Sequence, residues 1–183
     1  MAKGSGSAAE MQVFGLAGWS GSGKTTLATK LIPALRDRGL AVSSVKHAHH
    51  SFDIDRPGKD SFEHRLAGAT EVLITSAQRW ALMRELRGQP EPSIAELIAR
   101  MSPVDLVLVE GFKREPHDKI EVYRAACRHP PLCREDRRIV AVATDAPESP
   151  ALADVGLPRL ALDDAGAIAD FIIAHCRLVP GAA

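Results

Sequence analysis

Short apolar runs and helical spacings alternate along this chain. Four runs predict strands, at residues 11–17, 40–45, 104–109 and 138–143, and all of them except 40–45 are apolar enough to be typical of buried strands. Between the first two runs, leucines recur on one helical face and predict a helix over Thr25–Arg38. Pro33 is expected to kink this helix, and Gly39 is expected to end it.

The rest of the pattern adds weaker strands and three further helices. Residues 71–76 and 79–85 are expected to pair, and the alternation of polar and apolar positions over 119–123 favours an edge strand. Asp60 and Glu63 have the spacing of a capping box. The further helices are predicted over residues 60–69, 93–101 and 163–176. Strands alternating with helices predict an α/β fold, with a mostly parallel sheet, helices on both faces and one antiparallel edge region.

Composition narrows the class of protein. With 183 residues and 45% hydrophobic content, the chain is expected to form a single domain over 11–183, after a flexible tail at 1–10. Basic and acidic residues balance at 23 each, so no basic field favours nucleic acid or an anionic membrane as a partner. No apolar run approaches the ~20 residues of a membrane span, and the start lacks the apolar core of a signal peptide. We therefore expect a cytoplasmic protein.

The three cysteines are too few for a disulfide framework and fit a reducing compartment. Cys127, His129 and Cys133 lie close together in the sequence, but their spacing matches no standard zinc pattern. Pro130–Pro131 between them predicts an exposed loop. A metal site is therefore not favoured here.

The segment Gly18–Thr25, GWSGSGKT, matches the phosphate-loop (Walker A) pattern G-x-x-x-x-G-K-[ST] between a predicted strand and a predicted helix. Its glycines let backbone N–H groups approach phosphate oxygens, and the helix N-terminus adds positive potential. We expect Lys24 to bridge the β- and γ-phosphates and the Thr25 hydroxyl to bind Mg²⁺. The sequence therefore predicts a P-loop NTPase fold that binds a nucleoside triphosphate. The candidate nucleotide-binding residues in this loop are Trp19, Ser20, Gly21, Ser22, Gly23, Lys24, Thr25 and Thr26.

An acidic residue is expected near the metal, at the carboxyl end of a neighbouring strand. Asp105 and Glu110 stand at opposite ends of one apolar run, roughly 17 Å apart at ~3.4 Å per residue. Only Glu110 can lie at the phosphate end, where it would hold Mg²⁺ through a water or orient the attacking water. Asp105 is expected to be a charge at the strand entry, and Lys113 to approach the site.

The base that the protein recognises is left open by the residues alone. The chain contains no asparagine, so the N-K-x-D loop of many GTPases is not present in standard form. Asp145 ends a predicted strand where such a loop would lie. Its carboxylate would accept hydrogen bonds from guanine, but a plain turn acid fits equally well.

The segment Lys46–Ser61, KHAHHSFDIDRPGKDS, follows the second predicted strand on the same rim as the phosphate loop. A long polar loop beside the γ-phosphate is typical of a switch region. Asp53 and Asp55 are candidates for approaching Mg²⁺ or a water. The basic candidates for a second anionic ligand are Lys46, Arg56, Lys59 and Arg65.

Three stretches together resemble one family. These are GWSGSGKTTL, VKHAHHSFDIDRPGKDSFEHRLAGA and VLVEGFK, and the similarity spans most of 11–145. The chain resembles the molybdopterin-guanine dinucleotide biosynthesis protein B (MobB) family. The middle stretch is far more specific than the phosphate loop.

The resemblance implies a GTP-binding homodimer with weak intrinsic GTPase activity at most, acting chiefly as an adapter. Its partner would be the molybdenum cofactor guanylyltransferase, which joins GMP to molybdopterin, and molybdopterin itself is a further candidate ligand. The resemblance puts Gly21–Thr26 on the phosphates and Mg²⁺, and gives Lys46–Ser61 the switching role. It also favours guanine over other bases.

Two rival functions remain open on the residues. A small-molecule P-loop kinase would hold an acceptor in the second loop and show fast, acceptor-dependent turnover. A nickel or zinc metallochaperone GTPase would receive its metal on His47, His49 and His50.

Overall fold

The computed structural model describes residues 11–48, 52–113 and 115–179. The chain divides into two compact units, one formed by Met1–His47 with Arg100–Ala183 and the other by Ala48–Ala99. The expectation of a single domain over 11–183 stays a prediction. Within the described residues, no helix is long and apolar enough to cross a membrane.

The first unit is built on a six-stranded sheet. Its strands are β1 (Gln12–Ala17), β2 (Val42–Lys46), β5 (Leu106–Glu110), β6 (Lys119–Tyr123), β7 (Ile139–Thr144) and β8 (Arg159–Ala161). The strands lie in the order β2-β5-β1-β6-β7-β8, and every pairing between them is parallel. Its α-helices are α1 (Lys24–Arg36) and α4 (Ala165–Cys176). The 3₁₀ turns of this unit are Ala125–Cys127, Leu132–Arg134 and Pro150–Leu152. The predicted α/β fold with a mostly parallel sheet is confirmed.

The second unit contains an antiparallel two-stranded sheet and two short helices. Its elements are α2 (Asp60–Leu66), β3 (Glu71–Thr75), β4 (Trp80–Arg84) and α3 (Ile94–Ile98). The predicted pairing of 71–76 with 79–85 is therefore confirmed, as a hairpin with its own sheet. Ser93 and Glu96 form a capping box at the start of α3.

The main core lies between the sheet and helices α1 and α4. Leu27, Leu31 and Leu35 of α1 are buried because their four-residue spacing puts them on one helical face. They pack with alternate residues of the strands, such as Phe14 and Leu108, and with the apolar residues of α4. A second cluster joins Tyr123, Val142 and Leu152.

Two predicted features are wrong. The capping box of Asp60 and Glu63 does not form, because Asp60 is already the first residue of α2 and Lys59 occupies the N-cap. An acidic residue in the first turn still interacts favourably with the positive end of the helix. The predicted edge strand is also wrong, because β6 lies between β1 and β7 and is paired on both sides.

The polar residues of β6 are buried because they bind backbone groups of neighbouring loops. Lys119 is 1% exposed, and its ammonium donates to the Glu115 carbonyl at 2.9 Å and to Asp136 at 3.1 Å. Glu121 is fully buried, and its carboxylate accepts from the backbone N–H groups of Leu132 and Cys133 at 2.7 and 2.9 Å. With both its edges occupied, β6 cannot pair with a second copy across a two-fold axis.

Gly15 of β1 lies directly against His117. A Cβ at Gly15 would come within 2.6 Å of the His117 ring, so only glycine fits this contact. Neither ring nitrogen of His117 has a hydrogen-bond partner in the described part of the chain. Burial lowers the pKa of His117 to about 4, with Lys119 adding to the effect and Asp136 and Asp118 opposing it.

We predict that Glu121→Ala lowers the free energy of unfolding by about 2–6 kcal/mol, because it leaves the backbone N–H groups of Leu132 and Cys133 without their acceptor, at about 1–3 kcal/mol each. Urea unfolding followed by circular dichroism measures the change. Asp170→Ala, which removes an exposed partner of Arg38 in the same unit, is the matched control and should change stability much less. Equal effects of the two substitutions would contradict the buried role of Glu121.

We also predict that acid destabilises the protein through His117. Because its pKa in the folded state lies below the ordinary value of 6.5, the contribution of the neutral ring is complete above pH 6.5 and is lost as pH falls toward 4. The loss should be about 1–2 kcal/mol, less than the full shift implies because the ring is only partly buried. Urea midpoints between pH 7 and 4.5 should fall less steeply for His117→Gln than for the unsubstituted protein. Parallel curves would show that His117 does not carry the effect.

Candidate functional site

The predicted phosphate loop connects β1 to α1, and three of its glycines have left-handed φ angles: 147° at Gly18, 77° at Gly21 and 98° at Gly23. A Cβ at Gly18 would come within 2.6 Å of both the Ser22 hydroxyl and the Val122 carbonyl, so this position also requires glycine for space. Gly23 is the N-cap of α1, and no side chain among the described residues caps this helix. The first-turn N–H groups are thus available to an anion.

The Lys24 ammonium donates to the carbonyls of Gly18 and Trp19 at 3.0 and 2.9 Å, which holds it at the mouth of the loop. Burial lowers the pKa of Lys24, and the nearby cations Lys113 and Lys46 lower it further, while Glu110 acts in the opposite direction. A partly desolvated ammonium among like charges is stabilised by any anion that binds beside it. Lys113 approaches this site, as expected.

The Thr25 hydroxyl donates to Glu110 at 2.6 Å. Glu110 ends β5 and lies opposite Leu16 of β1 and Lys46 of β2 in the parallel registers, so these strand ends share one rim. The Lys46 ammonium lies 3.4 Å from the Thr25 hydroxyl and 3.5 Å from Glu110. A hydroxyl and a carboxylate are the hard oxygen donors that Mg²⁺ prefers, so the pair fits a magnesium ion.

Asp105 lies at the other end of β5, as predicted. Its carboxylate accepts from the backbone N–H of Ala41 at 2.7 Å, and this contact anchors the entry to β2. Asp105 therefore makes a structural contact at the opposite end of β5 from Glu110.

Ser22 is 2% exposed, and its hydroxyl has no hydrogen-bond partner among the described residues. Ser20 is exposed at the turn of the loop, and Thr26 is exposed on the first turn of α1. An unpaired hydroxyl and an uncapped helix in one loop are both consistent with a ligand that supplies acceptor oxygens.

The Trp19 side chain connects the phosphate loop to the segment after β6, a contact that sequence reasoning missed. Its indole N–H donates to the Pro130 carbonyl at 2.9 Å, and its ring stacks on His129 at 4.6 Å between centroids. The Lys113 ammonium lies 4.6 Å from the centre of the same indole. His129 is therefore packed on Trp19. In the same segment, burial raises the pKa of the Cys133 thiol to about 12.

Arg124 is a second residue that sequence reasoning missed. Its Nε donates to the Ser22 carbonyl at 3.1 Å, and its Nη1 donates to Asp145 at 2.6 Å. The only sequence signal was its position immediately after a predicted strand. Arg124 thus joins the phosphate loop to Asp145.

A cavity of about 550 Å³ opens beside the phosphate loop in the first unit. Gly23 and Thr26 line it on the α1 side, and Asp145 lines it where β7 ends. The remaining lining residues are Leu27, Lys30, Arg124, Thr144, Pro147 and 159–163. Its volume suits a small organic ligand, and Asp145 provides a carboxylate at the wall.

Asp55 and Lys59 belong to the second unit. Asp55 accepts from the Ser61 hydroxyl at 3.0 Å, and Arg65 lies 3.6 Å from its other oxygen. The Arg65 guanidinium also pairs with Asp53 at 2.8 Å and with Glu85 at 2.9 Å, so carboxylates of the protein already surround this cation. Roles for Asp55 and Lys59 in ligand binding stay predictions.

The His47 ring lies against Phe112 at 4.8 Å, and a Cβ at Gly111 would come within 2.9 Å of the His47 Cβ. His49 and His50, which were candidates for receiving a metal, lie outside the described residues. Over 11–48, 52–113 and 115–179, no group of three or more His, Cys, Asp or Glu side chains is arranged to hold a metal.

Comparisons with known proteins identify the family. The family model described as MobB, molybdopterin guanine dinucleotide synthesis protein B, matches residues 13–145. The chain is 46% identical over 164 residues to the molybdopterin-guanine dinucleotide biosynthesis adapter protein of Escherichia coli (strain K12), covering 88% of this chain and 91% of that protein. A protein of the same name from Haemophilus influenzae is 40% identical over 166 residues, covering 89% of this chain and 88% of that protein.

A solved structure gives the same result for the fold. The crystal structure of a molybdopterin-guanine biosynthesis protein B has a TM-score of 0.69 to this chain at 30% identity, covering 89% of this chain and 99% of that one. The resemblance found in the sequence and the predicted P-loop NTPase α/β fold are both confirmed. The chain belongs to the MobB family, molybdopterin guanine dinucleotide synthesis protein B.

Proposed function

We propose that this chain is an adapter in the biosynthesis of molybdopterin guanine dinucleotide, and that it binds GTP with Mg²⁺ and hydrolyses it slowly. The similarity to two biosynthesis adapter proteins supports the pathway. The observation that carries the nucleotide part is the contact between the Thr25 hydroxyl and Glu110 beside an uncapped helix N-terminus. These groups supply anion donors and metal ligands at one rim of a parallel sheet, where such folds bind their ligands.

Each residue of the rim has a role in this proposal. Backbone N–H groups of Gly21–Thr26 would hold the phosphates, and Lys24 would bridge the β- and γ-phosphates. Thr25 and Glu110 would hold Mg²⁺, which would offset the negative charge on the phosphoryl oxygens. Glu110 would also orient the attacking water through its carboxylate.

Slow hydrolysis is proposed because, over 11–48, 52–113 and 115–179, the cations that act on Lys24 are the lysines Lys46 and Lys113. An arginine finger, by contrast, supplies ~10³–10⁵ in rate where one is present. Arg124 is bonded to the Ser22 carbonyl and to Asp145 instead. An adapter that hydrolyses slowly would keep its GTP-bound form long enough to meet a partner.

The proposed partner is the molybdenum cofactor guanylyltransferase, with the adapter acting as a homodimer and molybdopterin as a candidate further ligand. An exposed apolar face supports contact with another protein chain. Leu73 and Leu82 pair across the β3–β4 hairpin and are 59% and 48% exposed, and Trp80 on the same face is 65% exposed. Apolar side chains grouped in this way are typical of protein-binding surfaces.

We predict that Lys24→Ala abolishes measurable triphosphate binding while the protein stays folded, because the loop loses its only side-chain cation for the β- and γ-phosphates. Isothermal titration with GTP and Mg²⁺ measures the affinity, and circular dichroism measures the fold. Arg36→Ala, which removes an exposed cation from the far end of α1, is the control and should bind normally. Undiminished affinity of Lys24→Ala would refute the phosphate-loop assignment.

We predict that Asp145→Asn weakens GTP binding about 10- to 100-fold and strengthens binding of xanthosine triphosphate. A carboxylate accepts from guanine N1–H and N2–H, and losing such charge-assisted bonds costs about 1.5–3 kcal/mol. An asparagine amide instead donates to the 2-oxo group of xanthine. Competition titrations with the two nucleotides give the ratio, and Asp154→Asn is the control. Unchanged GTP affinity would show that Asp145 does not recognise the base.

A further inference from the structure

Arg124 lies at the rim of the sheet where it contacts both the phosphate loop and Asp145. It directly follows β6, which lies between β1 and β7. The phosphate loop follows β1 and Asp145 follows β7, so Arg124 lies between them on the rim. Its own backbone is held in place, because its carbonyl accepts from the Cys127 N–H at 3.0 Å.

The guanidinium of Arg124 makes two contacts that differ in kind. Its Nε donates to the Ser22 carbonyl, which belongs to the phosphate loop. Its Nη1 donates to Asp145, which lies in the turn after β7. Because the guanidinium is planar, these two bonds fix the Asp145 carboxylate at a set distance and angle from the loop.

Arg124 and Asp145 both line the cavity of about 550 Å³. Gly23 and Thr26 line the end next to the phosphate loop, and Asp145 lines another part of the wall. A nucleotide whose phosphates lie on the loop would reach into this cavity with its ribose and base. Covalent bonds limit how far the base can lie from the phosphates of that nucleotide, so recognition requires a polar group of the protein within that reach.

We infer that Arg124 is a positioning residue for base selection. Its two hydrogen bonds hold the carboxylate of Asp145 next to the phosphate loop, where this carboxylate meets the base of a loop-bound nucleotide. This inference rests on the proposed function. Without the bond from Arg124, the Asp145 side chain, which is 43% exposed, would sample several rotamers. The predicted result is loss of discrimination between guanine and adenine, with little change in the binding of the phosphates.

A simple surface ion pair is the competing explanation. Such pairs contribute little to stability, and the Arg124 side chain is itself 39% exposed. The two explanations differ in what a substitution changes. A surface pair would affect stability slightly and leave the choice of base untouched, whereas a positioning residue would affect the choice of base.

The test is a double-mutant cycle between Arg124→Met and Asp145→Ala in the full chain. Calorimetric titrations with GTP and with ATP, each with Mg²⁺, give a GTP-to-ATP affinity ratio for each variant. We expect Arg124→Met to lower this ratio about tenfold, as the loss of one charge-assisted bond implies, with ATP affinity changing less than about threefold. In the Asp145→Ala background, Arg124→Met should have no further effect on the ratio, because Arg124 acts through Asp145.

Two further variants make the cycle decisive. Arg124→Lys keeps the charge but cannot hold both acceptors in the same plane, so it should lower the ratio as Arg124→Met does, and it replaces that variant if Arg124→Met does not fold. Arg134→Met is the matched control. Arg134 also joins an aspartate, Asp154, to a backbone carbonyl, that of Ala151, so its loss should leave the ratio unchanged.

Two results would overturn the role of Arg124: an unchanged ratio in Arg124→Met, or additive effects in the cycle. An unchanged ratio that comes with equal losses for GTP and ATP would mean that Arg124 supports only the loop backbone. Failure of the proposed function is separate. It would appear in the unsubstituted protein, as absence of GTP binding or absence of a preference for GTP over ATP.

Discussion

The parallel pairing of β1 with β5 on one side and with β6 on the other is the constraint on which the site depends. Parallel strands bring their carboxyl ends to one edge, so the residues that follow them meet there. Leu16 pairs with Glu110 in β5, and Ala17 pairs with Glu121 in β6. These two pairings of β1 therefore bring together the phosphate loop, Glu110, which contacts Thr25, and the strand that leads to Arg124.

The buried charges of β6 extend this constraint to the surrounding loops. Glu121 binds two backbone N–H groups of the turn that begins at Leu132. The same segment supplies the Pro130 carbonyl that accepts from Trp19 in the phosphate loop. The conformation of the nucleotide loop is thus linked, through Trp19 and this segment, to a carboxylate in the middle of the sheet. Stability and ligand binding are expected to depend on some of the same contacts.

The parts of the site that the sequence predicts are those with a local pattern. The phosphate loop has a fixed residue spacing between a strand and a helix. The direction of the strand between Asp105 and Glu110 is enough to place Glu110, and not Asp105, at the phosphate end. The position of β6 could not be predicted in this way, because polar alternation is the same whether the polar face meets water or the backbone of buried loops. Arg124 and Trp19 lie 102 and 111 residues from their partners, and no local pattern identifies such contacts.

We propose that this member of the MobB family uses the rim to bind GTP with Mg²⁺ and to hold it. The most direct measurement is calorimetric titration of the unsubstituted protein with GTP and with ATP, each with Mg²⁺, alongside the turnover of both nucleotides. We expect GTP to bind more tightly than ATP and to be hydrolysed slowly, with or without small-molecule acceptors. A preference for ATP, with turnover that rises when an acceptor is added, would contradict it and indicate a kinase.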